Sequence, residues 1–274
     1  MASQGPAEAS SLVTPLVRLA RRGSLLIASD FDGTLAQVVR DPRRARALPQ
    51  ASRALAELAR RTPVAVISGR DLANLAVQCR VPGAVLLGSY GLEPWLNASP
   101  ADPLPMTPAP SQRLVQLAKH LEELTGWLPG VQVESKALGV SVHYRNSPEP
   151  RRVGPTVRRM VEQLAAGEHL QVVRGKLVIE VRPPHSGNKG MALAGLLDRL
   201  QPRGCVFAGD DLGDLPAIEE LHRRAPEMEL ALAIGVLGPD SNSQLAEAAD
   251  ICLTGPAAWA QLLGEVAAGL RSPA

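Results

Sequence analysis

Aromatic side chains are scarce: Phe, Trp and Tyr together make 3% of the 274 residues. Platforms that stack nucleobases need several such rings, so a base-stacking task is not expected. A charge excess is missing too. The formal net charge of +2 at pH 7 supplies no broad field for nucleic acid or for an anionic membrane. The three cysteines, Cys79, Cys205 and Cys252, are odd in number and far apart. They form neither a disulfide framework nor a metal-ligand pair, and reduced thiols are expected. The five histidines, His120, His143, His169, His185 and His222, show no metal-ligand spacing. No glycine-rich Walker or dinucleotide motif occurs. Met1 to Ser24 has no apolar stretch followed by a small-residue cleavage site. The first apolar run, Leu25 to Ala28, is too short to span a bilayer. These absences predict a cytoplasmic protein. Neither nucleic acid nor membrane is expected as a partner, and the expected state is a monomer or weak homodimer.

What is present is a strand–helix alternation. Met1 to Ser11 is small and polar and is expected to lack fixed structure; Leu12 to Arg22 reads as a short helix. Leu25 to Ala28, Val64 to Ile67 and Ala84 to Leu87 are continuous apolar runs, suited to strands buried on both faces. Apolar residues at helical spacing lie between them, over Gln50 to Arg61 and Asp71 to Gln78. The same grammar returns late. Cys205 to Ala208, Leu230 to Ile234 and Ile251 to Leu253 read as strands. Lys189 to Leu200, Asp214 to Arg223 and Pro256 to Leu270 read as helices. Such alternation predicts an α/β fold with a doubly wound parallel sheet.

The middle differs. Ser99 to Pro110 is proline-rich and reads as a linker. Ser111 to Thr125 and Val153 to Leu164 are amphipathic helices. Each precedes two short runs with the period of half-buried strands: Val131 to Glu134 with Val140 to Tyr144, and Leu170 to Val173 with Leu177 to Val181. Helix–strand–strand, twice, predicts an inserted antiparallel sheet with helices on one face. The expected division is residues 1–105 and 185–274 for the core and 106–184 for the insert.

The strongest local signal is Asp30-Phe31-Asp32-Gly33-Thr34-Leu35, directly after the first buried strand. Two carboxylates leaving a strand end can divide labour: Asp30 can attack phosphorus, and Asp32 can pass a proton to the leaving oxygen. Gly33 lets the backbone turn close to a phosphate. Three further signals follow in order. Ser68, Gly69 and Arg70 sit between the second strand and a helix, where a hydroxyl and an amide can hold phosphate oxygens. Lys189 opens the helix after the insert and can neutralise an acid and a phosphate together. Gly209-Asp210-Asp211-Leu212-Gly213-Asp214 closes another strand; clustered acids there call for a hard cation such as Mg²⁺. Each has an ordinary alternative as a turn, a cap or a solvated surface. Four of them in order at strand ends favour phosphoryl chemistry.

With these motifs the chain resembles the haloacid dehalogenase superfamily of phosphotransferases. The resemblance implies Asp30 as nucleophile, Asp32 as acid/base and carbonyl ligand to the metal, and Ser68, Gly69 and Lys189 as phosphate binders. It further implies Asp210 as metal ligand, with Asp211 and Asp214 supporting metal or lysine. The insert is similar to the cap of trehalose-6-phosphate phosphatases over Gly88-Ser89-Tyr90-Gly91-Leu92-Glu93, Glu134-Ser135-Lys136, His143-Tyr144-Arg145 and Gly175 to Pro183. This implies sugar contacts from Arg70, Tyr90, Glu134, Lys136, Arg145, Lys176 and Glu180. Two departures from the family pattern stand out. Tyr90 stands where the family usually has His, and Gly213 with Leu215 replaces a Thr and a Glu. The implied activity is Mg²⁺-dependent hydrolysis of a disaccharide phosphate. A related or pseudo-sugar phosphate, a general small-metabolite phosphatase, a sugar phosphomutase and a non-enzymatic sugar-phosphate sensor are the alternatives.

Overall fold

The computed structural model describes residues 6–39, 41–93, 96–97, 111–136, 139–175, 177–183, 187–239 and 241–271. The expected linker at 99–110 and the expected sugar contact Lys176 lie outside the described residues. The chain divides into two compact units, Met1–Pro105 with Gly187–Ala274, and Met106–Ser186.

The first unit opens with α1 (Pro6–Arg21), β1 (Leu25–Ser29), α2 (Pro49–Leu58), β2 (Val64–Ile67), α3 (Leu72–Gln78), β3 (Val85–Leu87) and the edge strand β4 (Leu96–Asn97). α1 starts at Pro6, inside the stretch expected to be unstructured. Pro at a first turn followed by Ala, Glu and Ala is good helix-forming sequence despite its low hydrophobicity. In the second unit α4 (Gln112–Thr125), β5 (Gln132–Lys136) and β6 (Gly139–His143) are followed by α5 (Pro150–Gly167), β7 (Gln171–Gly175) and β8 (Val178–Arg182). The first unit resumes with α6 (Lys189–Leu200), β9 (Gly204–Gly209), α7 (Leu215–Arg224), β10 (Leu230–Leu237), α8 (Ser243–Ala248), β11 (Ile251–Thr254) and α9 (Gly255–Arg271).

The large sheet runs β11-β10-β9-β1-β2-β3-β4. Its pairs are parallel except β3 with β4. Apolar side chains leave both faces of each central strand. Leu25, Ile27, Val64, Val66, Val206 and Ala208 join the core under α1, α2 and α9. Leu26, Ala28, Ala65, Ile67, Cys205 and Phe207 join the core under α6 and α7. This two-sided burial is why these strands read as unbroken apolar runs. The buried Cys79 thiol is pushed up to about 12 by desolvation, and burial also raises Cys205, so both behave as small apolar residues.

The register brings the strand ends level. Ser29 faces Ala208 and Val66, and Ile67 faces Leu87. The residues that follow these ends, Asp30, Ser68, Gly88 and Asp210, therefore leave the sheet at one edge, the carboxyl edge where open α/β sheets take ligands.

The second unit is a four-stranded antiparallel sheet in the order β5-β6-β8-β7. Val140, Val142, Ile179 and Val181 pack against Leu114, Leu117 and Leu121 of α4 and Val157 and Val161 of α5. By the period of two, Glu134, Lys136, Ser141, Glu180 and Arg182 take the opposite face.

Phe207 is fully buried on the central strand β9. Phe207→Ala should lower unfolding stability by about 3–5 kcal/mol through lost burial and a residual cavity, read as a lower denaturation midpoint.

Candidate active site

Asp30 leaves β1 as its amide donates to the Ala208 carbonyl at 2.8 Å, continuing the β1–β9 ladder by one residue. Its main-chain carbonyl accepts from the Ser29 hydroxyl at 2.8 Å, and that hydroxyl accepts from the buried Trp259 indole at 3.2 Å. Both carboxylate oxygens are held. Lys189 Nζ donates to Oδ1 at 2.5 Å and the Thr34 hydroxyl to Oδ2 at 3.2 Å. Asp30 is 4% exposed, so its orientation is fixed by this network rather than by water.

Lys189 is the first residue of α6, whose N-cap Asn188 accepts from the Met191 amide at 2.9 Å. Gly190 follows because a Cβ there would lie 2.4 Å from the Pro216 carbonyl. That close approach of α6 to the start of α7 sets Lys189 Nζ 2.6 Å from Asp214 Oδ1. The other oxygen of Asp214 accepts the amides of Asp210 and Asp211 at 3.0 and 3.1 Å. Asp211 caps the turn by accepting from the Gly213 amide at 2.6 Å. Asp214 thus bonds both the lysine and the acidic loop. Gly213, one of the family departures, is tolerated because only its backbone is used.

The two loops converge. Gly33 has φ +83°, and a Cβ there would fall 1.9 Å from Asp210 Oδ2, so the Asp210 side chain occupies the space that a larger residue at 33 would fill. Oxygens of Asp30, Asp210 and Asp214 lie within 4.8 Å of one another, all three buried. Three carboxylates are gathered here, two of them bonded to the same ammonium. The donors are hard oxygens with no thiolate or imidazole among them. This set fits a divalent cation of the Mg²⁺ type.

Burial pushes Asp30 up to about 7; Lys189 pulls it down, while Asp214 and Asp32 push it further up. Burial pulls Lys189 down, but Asp214 and Asp30 outweigh it and hold the ammonium well above its ordinary range.

Asp32 is more open, and Arg70 grips it with two parallel bonds, Nε to Oδ2 at 2.6 Å and Nη2 to Oδ1 at 2.7 Å. The guanidinium also lies over the Phe31 ring, 5.4 Å from its centroid. Arg70, a candidate substrate contact, thus faces Asp32. Ser68 turns the chain after β2, and its hydroxyl accepts from the Arg70 amide at 3.2 Å. Tyr90 sits directly on this turn, since a Cβ on Gly69 would lie 2.6 Å from the Tyr90 ring. In the second unit Lys136 lies 3.6 Å from Glu180, and Glu134 pairs with His143 at 2.8 Å. Arg145 follows β6.

Two residues that support the site carry no signal in the sequence. Trp259 reaches Ser29, and through it Asp30, by a hydrogen bond between residues 230 apart in the chain, which no spacing reveals. Thr34 lies within the first motif and can be read from it.

The sequence profile of the trehalose-phosphatase family matches residues 28–248. The chain is 40% identical over 206 residues to the trehalose-phosphate phosphatase of Mycobacterium avium, covering 69% of this chain and 49% of that protein. It is 38% identical over 201 residues to that of Mycobacterium leprae, covering 69% and 46%. The chain thus spans about half the length of the curated relatives it matches. Among solved structures, the C-terminal domain of Candida albicans trehalose-6-phosphate phosphatase matches with a TM-score of 0.74 at 22% identity, covering 93% of this chain and 96% of that one. A haloacid dehalogenase-like hydrolase from Bacteroides thetaiotaomicron matches with a TM-score of 0.57 at 14% identity, covering 87% and 97%. At these identities the structural likeness establishes the fold.

The raised Asp30 has a measurable consequence in metal-free protein. Its folded value of about 7 lies above the ordinary 3.8. Its contribution to stability is therefore full below 3.8 and is lost as pH rises through 7. In chelator-treated protein, wild type should lose stability relative to Asp30→Asn across that window, by at most about 4 kcal/mol, read as diverging denaturation midpoints.

Proposed function

The chain belongs to the trehalose-phosphatase family, and from that we infer that it is a Mg²⁺-dependent phosphatase converting trehalose 6-phosphate to trehalose and phosphate. The observation that carries this reading is the convergence of Asp30, Lys189, Asp210 and Asp214 at one strand edge.

Asp30 attacks the phosphorus through a carboxylate oxygen while the bond from phosphorus to the sugar oxygen breaks. Asp32 gives that oxygen its proton, so trehalose leaves as a neutral alcohol, and an aspartyl-phosphate remains. Asp32, now ionised, takes a proton from water; the water oxygen displaces Asp30, and phosphate leaves. Ser68 and the Gly69 amide hold phosphoryl oxygens, and Lys189 offsets their charge. Arg70 orients the Asp32 side chain through its two hydrogen bonds to it. Asp30, Asp210 and the Asp32 carbonyl would hold Mg²⁺, which supplies positive charge beside the nucleophile and the equatorial oxygens. Asp32 at its position, a proton carrier, suits a leaving alcohol.

The proposed sugar contacts are Tyr90, Glu134, Lys136, Arg145, Lys176 and Glu180. Carboxylates accept from paired hydroxyls, and lysine or arginine donates to them. The separated, partly buried thiols suit a reducing cytoplasm, and no helix among the described residues is long and apolar enough to cross a membrane. We assign a monomer or weak homodimer acting on a small sugar phosphate.

Purified protein with Mg²⁺ should release phosphate from trehalose 6-phosphate, and a chelator should stop it reversibly. Asp30→Asn should lower kcat by at least about 10³-fold, because the neutral amide cannot form the ester. Phosphate release by that variant at the wild-type rate would remove Asp30 from the chemistry.

A further inference from the structure

Glu93 is a buried carboxylate with no part in the chemistry above. It is 5% exposed. Its Oε1 accepts two hydrogen bonds, from the Ser89 hydroxyl at 2.5 Å and from the Leu72 amide at the start of α3 at 3.0 Å. Both partners belong to segments that frame the phosphate-binding turn. α3 begins directly after that turn, and Ser89 opens the turn that lies on it.

The Ser89 turn is strained. Ser89, Tyr90 and Gly91 have φ of 47°, 60° and 83°. Two of these three are L residues with side chains, and left-handed backbone there costs of order 1 kcal/mol or more per residue. Such a conformation persists only where its surroundings impose it. The impositions are visible. The Ser89 amide donates to the Arg70 carbonyl at 2.6 Å, and the Tyr90 amide donates to the Ser68 carbonyl at 2.9 Å. The two turns, 68–70 and 89–91, are thus joined backbone to backbone. On the far side, a Cβ on Gly91 would lie 2.8 Å from the Ala192 Cβ of α6, the helix that begins with Lys189. Gly88 passes so close to Leu72 that a Cβ there would lie 2.4 Å from the Leu72 amide.

We propose that Glu93 is a positioning residue: by holding the Ser89 hydroxyl and the α3 N-terminus on one oxygen, it fixes the strained 89–91 turn that aligns Ser68 and Gly69 with phosphate and Arg70 with Asp32. The link runs from the Glu93 carboxylate to Ser89, from the Ser89 amide to the Arg70 carbonyl, and from the Arg70 guanidinium to Asp32. What the turn needs from position 93 is an acceptor at one point, not a negative charge. The proposal rests on the phosphatase reading of Asp32 and of the 68–70 turn.

The test uses the full chain with Mg²⁺ and trehalose 6-phosphate. Glu93→Ala removes the acceptor and should lower kcat about 10- to 100-fold, the scale of an ångström-level misplacement, with KM changed less than about threefold. Glu93→Gln keeps a carbonyl oxygen at the same reach and should restore kcat to within about threefold of wild type. Ser89→Ala deletes one hydroxyl and serves if Glu93→Ala does not fold; it should lower kcat about 3- to 10-fold. Wild-type kcat in Glu93→Ala or in Ser89→Ala overturns the proposal, even if either is less stable. Equal loss in Glu93→Ala and Glu93→Gln also overturns it, because charge and not acceptor geometry would then matter. Absence of phosphate release by the wild type overturns the phosphatase reading and this proposal with it; turnover with indifferent variants overturns the proposal alone.

Discussion

The buried Lys189 ammonium, shared between Asp30 and Asp214, is the interaction on which the rest of the site depends. A lone charge in this position would be expelled by desolvation. Two carboxylates at 2.5 and 2.6 Å keep it protonated, and it in turn keeps two buried acids from repelling one another. Asp210 adds a further carboxylate to the pocket. Burial, with Asp214 and Asp32 beside it, holds Asp30 near 7 against the pull of Lys189. Crowding three buried carboxylates costs stability in the metal-free fold and gathers hard oxygen donors that suit a divalent ion.

Backbone economy makes this crowding feasible. The parallel register delivers Asp30, Ser68 and Asp210 to one edge, but the edge is narrow. Gly33, Gly69 and Gly209 each stand where a Cβ would meet a functional side chain: Asp210, Tyr90 and Asp214, at 1.9, 2.6 and 2.3 Å. Only Gly33 among them also needs left-handed backbone. The glycines are therefore required chiefly for space. The acids and the tyrosine fill that space, and the charges come within reach of one another.

The core of the site was legible because its residues follow apolar runs. Asp30, Asp32, Ser68, Lys189 and Asp210 each sit at the end of a buried strand or the start of a helix, and periodicity locates such points. The α/β architecture with an antiparallel insert was legible for the same reason. What escaped had no periodicity to betray it. β4 is two residues long, and α8 has a single buried residue, Leu245. Glu93 ends the Gly88-to-Glu93 stretch, but its partner Leu72 becomes a neighbour only when β3 pairs with β2. The grip of Arg70 on Asp32 depends on β1 and β2 being adjacent and in register. Position along the chain identified the turn, and only pairing revealed what the turn touches.

Tyr90 bears on what the turn selects. The family usually carries His there, a residue that can donate, accept and take up charge. Tyr keeps a flat ring and a hydroxyl but stays neutral near pH 7. Its ring rests on Gly69, so the contact that replaces imidazole is packing against the 68–70 turn. The left-handed backbone at Tyr90 directs this placement, and the joined turns hold it. The cations that the fold fixes at this edge are Lys189, bonded to Asp30 and Asp214, and Arg70, bonded to Asp32. The joined turns hold the Arg70 backbone and the N-terminus of α6 holds Lys189, so their placement depends on the same left-handed turn that seats Tyr90.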